Sequence, residues 1–113
     1  MRISEELRVR DALMASSTLG VSNISPIVAD DTALFPYISY KRINTDFDSW
    51  KRSNGVVKLT LEIAVWSDDY DESVRVAERA MDIISEQAGM SIINCTEGYD
   101  SGAYYQVITM TIE

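Results

Sequence analysis

The sequence predicts an α+β domain: a four-stranded, mostly antiparallel sheet with two helices packed on one face, in the order α-β-β-α-β-β. Three observations lead there. Residues 56–66 alternate apolar and polar with period two and run directly into an acidic helix start. Residues 70–87 carry apolar side chains at the three-and-four spacing of a helix. Two further period-two runs bracket a Gly- and Asp-containing turn near the end. At 113 residues the chain suits one domain with one core, 1–113.

The first helix is expected over 5–17, with Ser4 as its cap, Glu5 and Glu6 in the first turn where the helix dipole favours anions, and a Glu6–Arg10 pair. Leu7, Val9, Ala12, Leu13 and Met14 form its apolar side. Gly20 closes this region. Residues 21–33 read as a structured loop that lies on the core through Ile24, Ile27 and Val28, and Pro26 restricts any strand there to an edge. From Tyr37, Ile38, Tyr40 and Arg42 alternate with Tyr37, Ser39, Lys41 and Ile43. Residues 44–54 are polar and end in Asn54-Gly55, a hairpin-turn signal.

The next strand sets Val57, Leu59, Leu61, Ile63 and Val65 against Lys58, Thr60 and Glu62, the pattern of a half-buried antiparallel strand. Ser67, Asp68 and Asp69 cap the second helix, whose expected stripe is Tyr70, Val74, Ala77, Met81, Ile84 and Ala88, and Gly89 stops it. Trp66 and Tyr70 are expected to anchor a corner of the core. The last two strands, 91–97 and 103–112, flank a turn of Gly98-Tyr99-Asp100-Ser101-Gly102.

Chemistry is narrowed by what the chain lacks. There is no histidine, so the commonest general base and metal ligand near neutral pH are missing, and Ser/His/Asp and Cys/His arrangements cannot form. Cys95 stands alone, which rules out an intramolecular disulfide and a CxxC site. Asp68, Asp69, Asp71 and Glu72 lack the glycine and distal glutamate of a calcium loop and read as helix capping. No catalytic, cofactor or metal residues are assigned. A net charge of −8 opposes stable nucleic-acid binding. No apolar run reaches the ~20 residues of a membrane span, and no secretion signal precedes the first helix.

The charges are unevenly placed. Residues 41–58 hold five positive and two negative charges, with Phe47 and Trp50 among them, whereas 68–86 hold seven negative and two positive. Aromatics among basic residues can mark a single-strand nucleic-acid site, but with this overall charge a solvated strand edge or a protein contact is the better reading. Two opposite patches on one chain fit a head-to-tail contact between copies: Lys41, Arg42, Lys51, Arg52 and Lys58 against Asp68, Asp71, Glu72, Glu78 and Asp82 of the neighbour.

The stretches Gly20-Val21-Ser22-Asn23-Ile24-Ser25-Pro26-Ile27-Val28-Ala29, Phe35-Pro36-Tyr37-Ile38-Ser39-Tyr40 and Ile63-Ala64-Val65-Trp66-Ser67-Asp68-Asp69-Tyr70, the Ala-containing helix after them, and a last strand starting near Tyr104 resemble the small tail-completion, or tail-terminator, proteins of long-tailed bacteriophages and prophages. Order and length agree over nearly the whole chain. The resemblance implies a non-catalytic α+β virion protein without cofactor. It implies a ring, often six-membered, at the head-proximal end of the tail tube, with the tail-tube protein and the head connector as partners, assembled in the bacterial cytoplasm. A small-ligand-binding regulatory α+β module is the alternative, to be told apart by a preformed apolar pocket and a monomeric or dimeric state. An enzyme using only carboxylates and tyrosines ranks third.

Overall fold

The computed structural model describes residues 1–28, 33–48 and 55–113. Its centre is the alternating strand expected from the sequence. In β3, Val56–Ser67, the side chains of Leu59, Leu61, Ile63 and Val65 are wholly buried on one face, while Thr60, Glu62, Ala64 and Trp66 lie on the other. It pairs antiparallel with β2, Tyr37–Phe47, and with β5, Ala103–Ile112, whose outer neighbour is β4, Met90–Asp100. Aligned partners bring Ile38, Tyr40, Ile108, Met110 and Ile112 onto the buried face of β3, so one core forms on one side of the sheet.

The sheet has five strands, not four, in the order β1-β2-β3-β5-β4. The additional strand β1, Ile24–Pro26, pairs parallel with Ile38, Ser39 and Tyr40 of β2, and the element order becomes α-β-β-β-α-β-β. Three residues are too few to display a period of two, and Pro26 sits on an edge strand, where a missing N–H is tolerated. After it the chain turns away: Ile27 has φ 66 and its N–H gives the last bond, 2.7 Å to the Tyr40 carbonyl. Ile27 and Val28 are about 70% exposed, so the expected contact of these two with the core does not form, although Ile24 packs against it.

β2 runs on through 44–47, read from sequence as polar loop. Polar residues are admitted because no described strand covers the outer edge of this part and a cross-strand ion pair, Lys58 Nζ to Asp46 at 4.0 Å, lies on its β3 side. A bulge at Ile43 and an irregularity before Phe47 shift the register, and Val56, not Val57, is the residue fully buried at the strand's start. The turn at Asn54 lies outside the described residues. In the last hairpin the turn is only Ser101-Gly102, with φ 52 and 85, the left-handed pair of a tight two-residue connection. Gly98 and Tyr99, assigned to the turn from sequence, are therefore strand residues.

Two helices cover the core face. The first helix, α1, is Glu6–Ala15, preceded by a 3-10 turn, Ile3–Glu5, that contains Ser4, so Ser4 does not cap it. Val9 and Leu13 are buried and Met14 is exposed, and Arg10 bonds Asp11 at 2.9 Å, not Glu6. The second helix, α2, is Tyr70–Ser85. Its buried residues are Ser73, Val76, Ala77, Ala80 and Ile84; Tyr70 and Ala88 of the expected stripe are exposed, and Val74 and Met81 are half-buried. The stripe is turned from its expected setting because three of the five buried residues are Ser or Ala, small enough to bring the helix close to the sheet yet weak in hydrophobic signal.

Candidate functional site: the uncovered sheet face and its open edges

Three of the charged residues singled out from sequence, Lys41, Lys58 and Glu72, are engaged within the chain. Lys41 faces its cross-strand partner Glu62 at 3.6 Å, and Lys58 faces Asp46. Arg42 is exposed and forms no ion pair among the described residues. Lys51, Arg52 and Trp50 lie outside them. Asp68, Asp71, Glu78 and Asp82 are exposed along the start and outer side of α2, whereas Glu72 is half-buried and accepts the Ser67 hydroxyl at 2.7 Å. The same hydroxyl accepts the Asp69 N–H at 3.1 Å, so Ser67 holds the helix start and the Asp69 side chain makes no capping bond. The structure thus sets Lys41, Arg42 and Lys58 on the neighbouring strands β2 and β3 and most of the acidic residues at α2, with no ion pair between the two sets among the described residues.

Below the start of α2 a chain of polar groups crosses the core boundary. Ser73 Oγ donates to the Tyr70 carbonyl at 2.6 Å, Gln106 Nε2 donates to Ser73 Oγ at 3.4 Å, and Cys95 Sγ approaches Gln106 Oε1 at 3.9 Å. The Tyr70 hydroxyl donates to both oxygens of Glu97, at 3.0 and 3.1 Å. That bond and the charge of Glu97 raise the Tyr70 pKa, with burial and Asp71 adding to them. Burial, then Glu97, raises the Cys95 thiol, which lowers its thiolate fraction. Tyr70, Tyr104 and Tyr99 form an edge-on aromatic group around this point. Among the described residues no group of three His, Cys, Asp or Glu could hold a metal ion.

The face of the sheet opposite the helices carries a row of stacked rings: Phe35 on Tyr37 at 5.3 Å, Tyr37 on Trp66 at 6.3 Å and Trp66 on Tyr105 at 4.9 Å. The row ends over Gly98, on the neighbouring strand opposite Tyr105, where a Cβ would overlap the Tyr105 ring. Sequence reading placed Trp66 and Tyr70 at a corner of the core; the strand alternation instead puts Trp66 on the uncovered face and leaves Tyr70 exposed. The ring faces are turned to each other, so they clasp the four longer strands and offer little flat surface to a planar ligand. Beside them lies a half-open depression of about 270 Å³ lined by Ser39, Lys41, Glu62, Ala64 and Val107. Asp100, Tyr40 and Tyr105 also border it, and its Lys41 and Glu62 form a solvated cross-strand ion pair.

What remains unsatisfied is at the edges. β4 has β5 on one side and no described strand on the other, and everything from Ser91 to Asp100 is exposed except Ile92 and Gly98. β2 is covered by β1 only as far as Tyr40. Exposed apolar side chains stand at these places: Ile43 and Phe47 on β2, Ile93 and Tyr99 on β4, and Ile27, Val28, Leu34 and Phe35 around β1. The loop bearing the last two is tied down by Ser22, whose N–H bonds the Pro36 carbonyl at 2.8 Å and whose hydroxyl bonds the Leu34 carbonyl. No protein-family model matches the chain, and no curated protein sequence matches it. Among the described residues no helix is long and apolar enough to cross a membrane.

Proposed function

We propose that the chain is a non-catalytic structural subunit that assembles with copies of itself into a ring, of the tail-completion type, at the head-proximal end of a phage tail tube. The observation that carries this reading is the distribution of exposed apolar side chains. Most of them stand along two different sheet edges and the loop beside β1, and exposed apolar surface gathered in this way marks protein contacts. Two dissimilar surfaces on opposite sides of one subunit favour a head-to-tail contact, which closes into a ring when the rotation allows. The sequence resemblance supports the choice of tail completion over other ring-forming roles, with the tail-tube protein and head connector as partners and the virion as destination. An outward excess of acidic groups suits a ring through which DNA passes without adhering.

The opposite charges retain a part in this reading, reduced to Arg42, Lys51 and Arg52 on one side and Asp68, Asp71, Glu78 and Asp82 on the other. Exposed pairs of this kind add only about 0–1 kcal/mol each, so association weakens with salt and persists. Light scattering of the purified protein, alone and with the tail-tube protein, is the test. Oligomers of a fixed size, free or on the tube, are expected. A strict monomer in both conditions that copurifies with a metabolite would replace this reading with the small-ligand regulatory module.

A further inference from the structure

Resting on the assembly reading, we infer that subunits join by strand pairing: β4 of one copy hydrogen-bonds antiparallel to residues 42–47 of β2 in the next copy, making one continuous sheet across the contact. Both partners are open edges of the same sheet, and an open edge carries a row of N–H and C=O groups that a further strand can satisfy. The stretch available on β2 is fixed at one end, because Pro26 ends β1 opposite Tyr40 and Ile27 turns away there.

Side-chain faces fix the alignment. Arg42 is opposite the buried Leu61 and Glu97 is opposite the buried Gln106, so both project on the helix-covered side. Setting Glu97 of one copy across from Arg42 of the next pairs an exposed guanidinium that has no carboxylate partner among the described residues with an exposed carboxylate. Glu97 already accepts the Tyr70 hydroxyl, and a carboxylate has room for further donors. Each strand has an extra residue, Ile43 in β2 and Ile93 in β4, and both register shifts are of the same kind. With Ile43 left out of the pairing, as it is against β3, Cys95 faces Thr45 on the same side, and Ile93, further along the same pairing, arrives beside the exposed Phe47. At the other end Tyr99 reaches a depression of about 170 Å³ between Glu6, Pro26, Tyr40 and Arg42, where its ring meets apolar surface and its hydroxyl meets a carboxylate. The bulges that make these edges poor templates for an unrelated strand thereby become the selectivity of the joint.

Cys95 is the chain's single cysteine and serves as a probe. Oxidation of the Thr45→Cys variant should link copies into covalent oligomers larger than a dimer, and the same variant carrying Cys95→Ser should not cross-link. Wild-type protein should not cross-link. As a second measurement, Glu97→Arg should lower the oligomer fraction at least tenfold at a fixed concentration, and Arg42→Glu added to it should recover most of the loss. Wild-type dimers linked through Cys95 would overturn the inference in favour of β4 pairing with β4. Oligomers by scattering that neither cross-link in Thr45→Cys nor respond to the charge swap would overturn the pairing while leaving the assembly reading standing. A monomer under all conditions, on the tail tube included, would overturn both.

Discussion

Replacing Gly98 by alanine should reverse its effect on stability according to what stands at position 105. In a strand interior, alanine is favoured over glycine by roughly 0.5–1 kcal/mol, since glycine loses more backbone freedom on folding. Gly98 has an ordinary strand conformation, so the backbone itself gives no reason for glycine. The reason is the Tyr105 ring: a Cβ at 98 would overlap its Cζ and hydroxyl and stand 2.9 Å from its Cε1. Relief requires the ring to move by about 1 Å, which takes it off its rotamer, at roughly 0.5–1.5 kcal/mol, and disturbs the 4.9 Å contact with Trp66, worth about 0.5–1.5 kcal/mol. The sum, about 1–3 kcal/mol, outweighs the backbone gain and leaves a net loss near 0.5–2 kcal/mol, or roughly 2–8 °C in Tm for a domain of this size. In a Tyr105→Ala background the obstacle is gone, and Gly98→Ala should raise Tm. Thermal unfolding of the four proteins of the cycle, followed by circular dichroism, measures the coupling directly. Equal effects of Gly98→Ala in both backgrounds, whatever their sign, would refute the argument.

Leu61→Ala removes a wholly buried side chain from the middle of β3 and should cost about 2–5 kcal/mol; an unchanged denaturant midpoint would show that the core is not centred there. Cys95, with its pKa raised by burial and by Glu97, should react with iodoacetamide more slowly than a free thiol at pH 8 and gain rate as pH rises through its folded pKa. Glu97→Gln removes a charge that disfavours the thiolate and should speed the reaction in dilute protein; an unchanged rate would show that burial alone sets the thiol.

The parts of the fold that showed in the sequence are those in which a period is both long and carried by large side chains. β3 and β5 alternate over ten or more residues, and the buried face of β3 was read correctly apart from the shift at Val56. The stripe of α2 was right at Ala77 and Ile84 but missed Ser73, Val76 and Ala80, since Ser and Ala serve equally well on a surface and carry little hydrophobic signal. β1 was hidden by its length, and the full reach of β2 and β4 by their edge positions, where polar side chains are no penalty. The aromatic row could not be read at all. Phe35, Tyr37, Trp66 and Tyr105 come from three separate segments, and only strand register places them side by side. Gly98 held a clue, but it was assigned to the hairpin turn, where glycine is expected, so its close approach to the Tyr105 ring did not show. Charge spacing showed which residues were basic and which acidic, but not that Lys41, Lys58 and Glu72 were already engaged.

The order of strands also governs when the protein can take shape during synthesis. β5 is the last strand in the chain, yet it lies inside the sheet with a neighbour on either side. A ribosome-bound chain that has emerged only as far as β4 therefore presents Leu61 and Ile63 beside an empty lane, and α2 has no complete floor to settle on. Neither half of the sheet is a stable stopping point, because the two are joined only through the strand still to come. The sheet cannot close without that one segment, so chains that stop before Ala103 would expose their apolar ridges and be open to degradation.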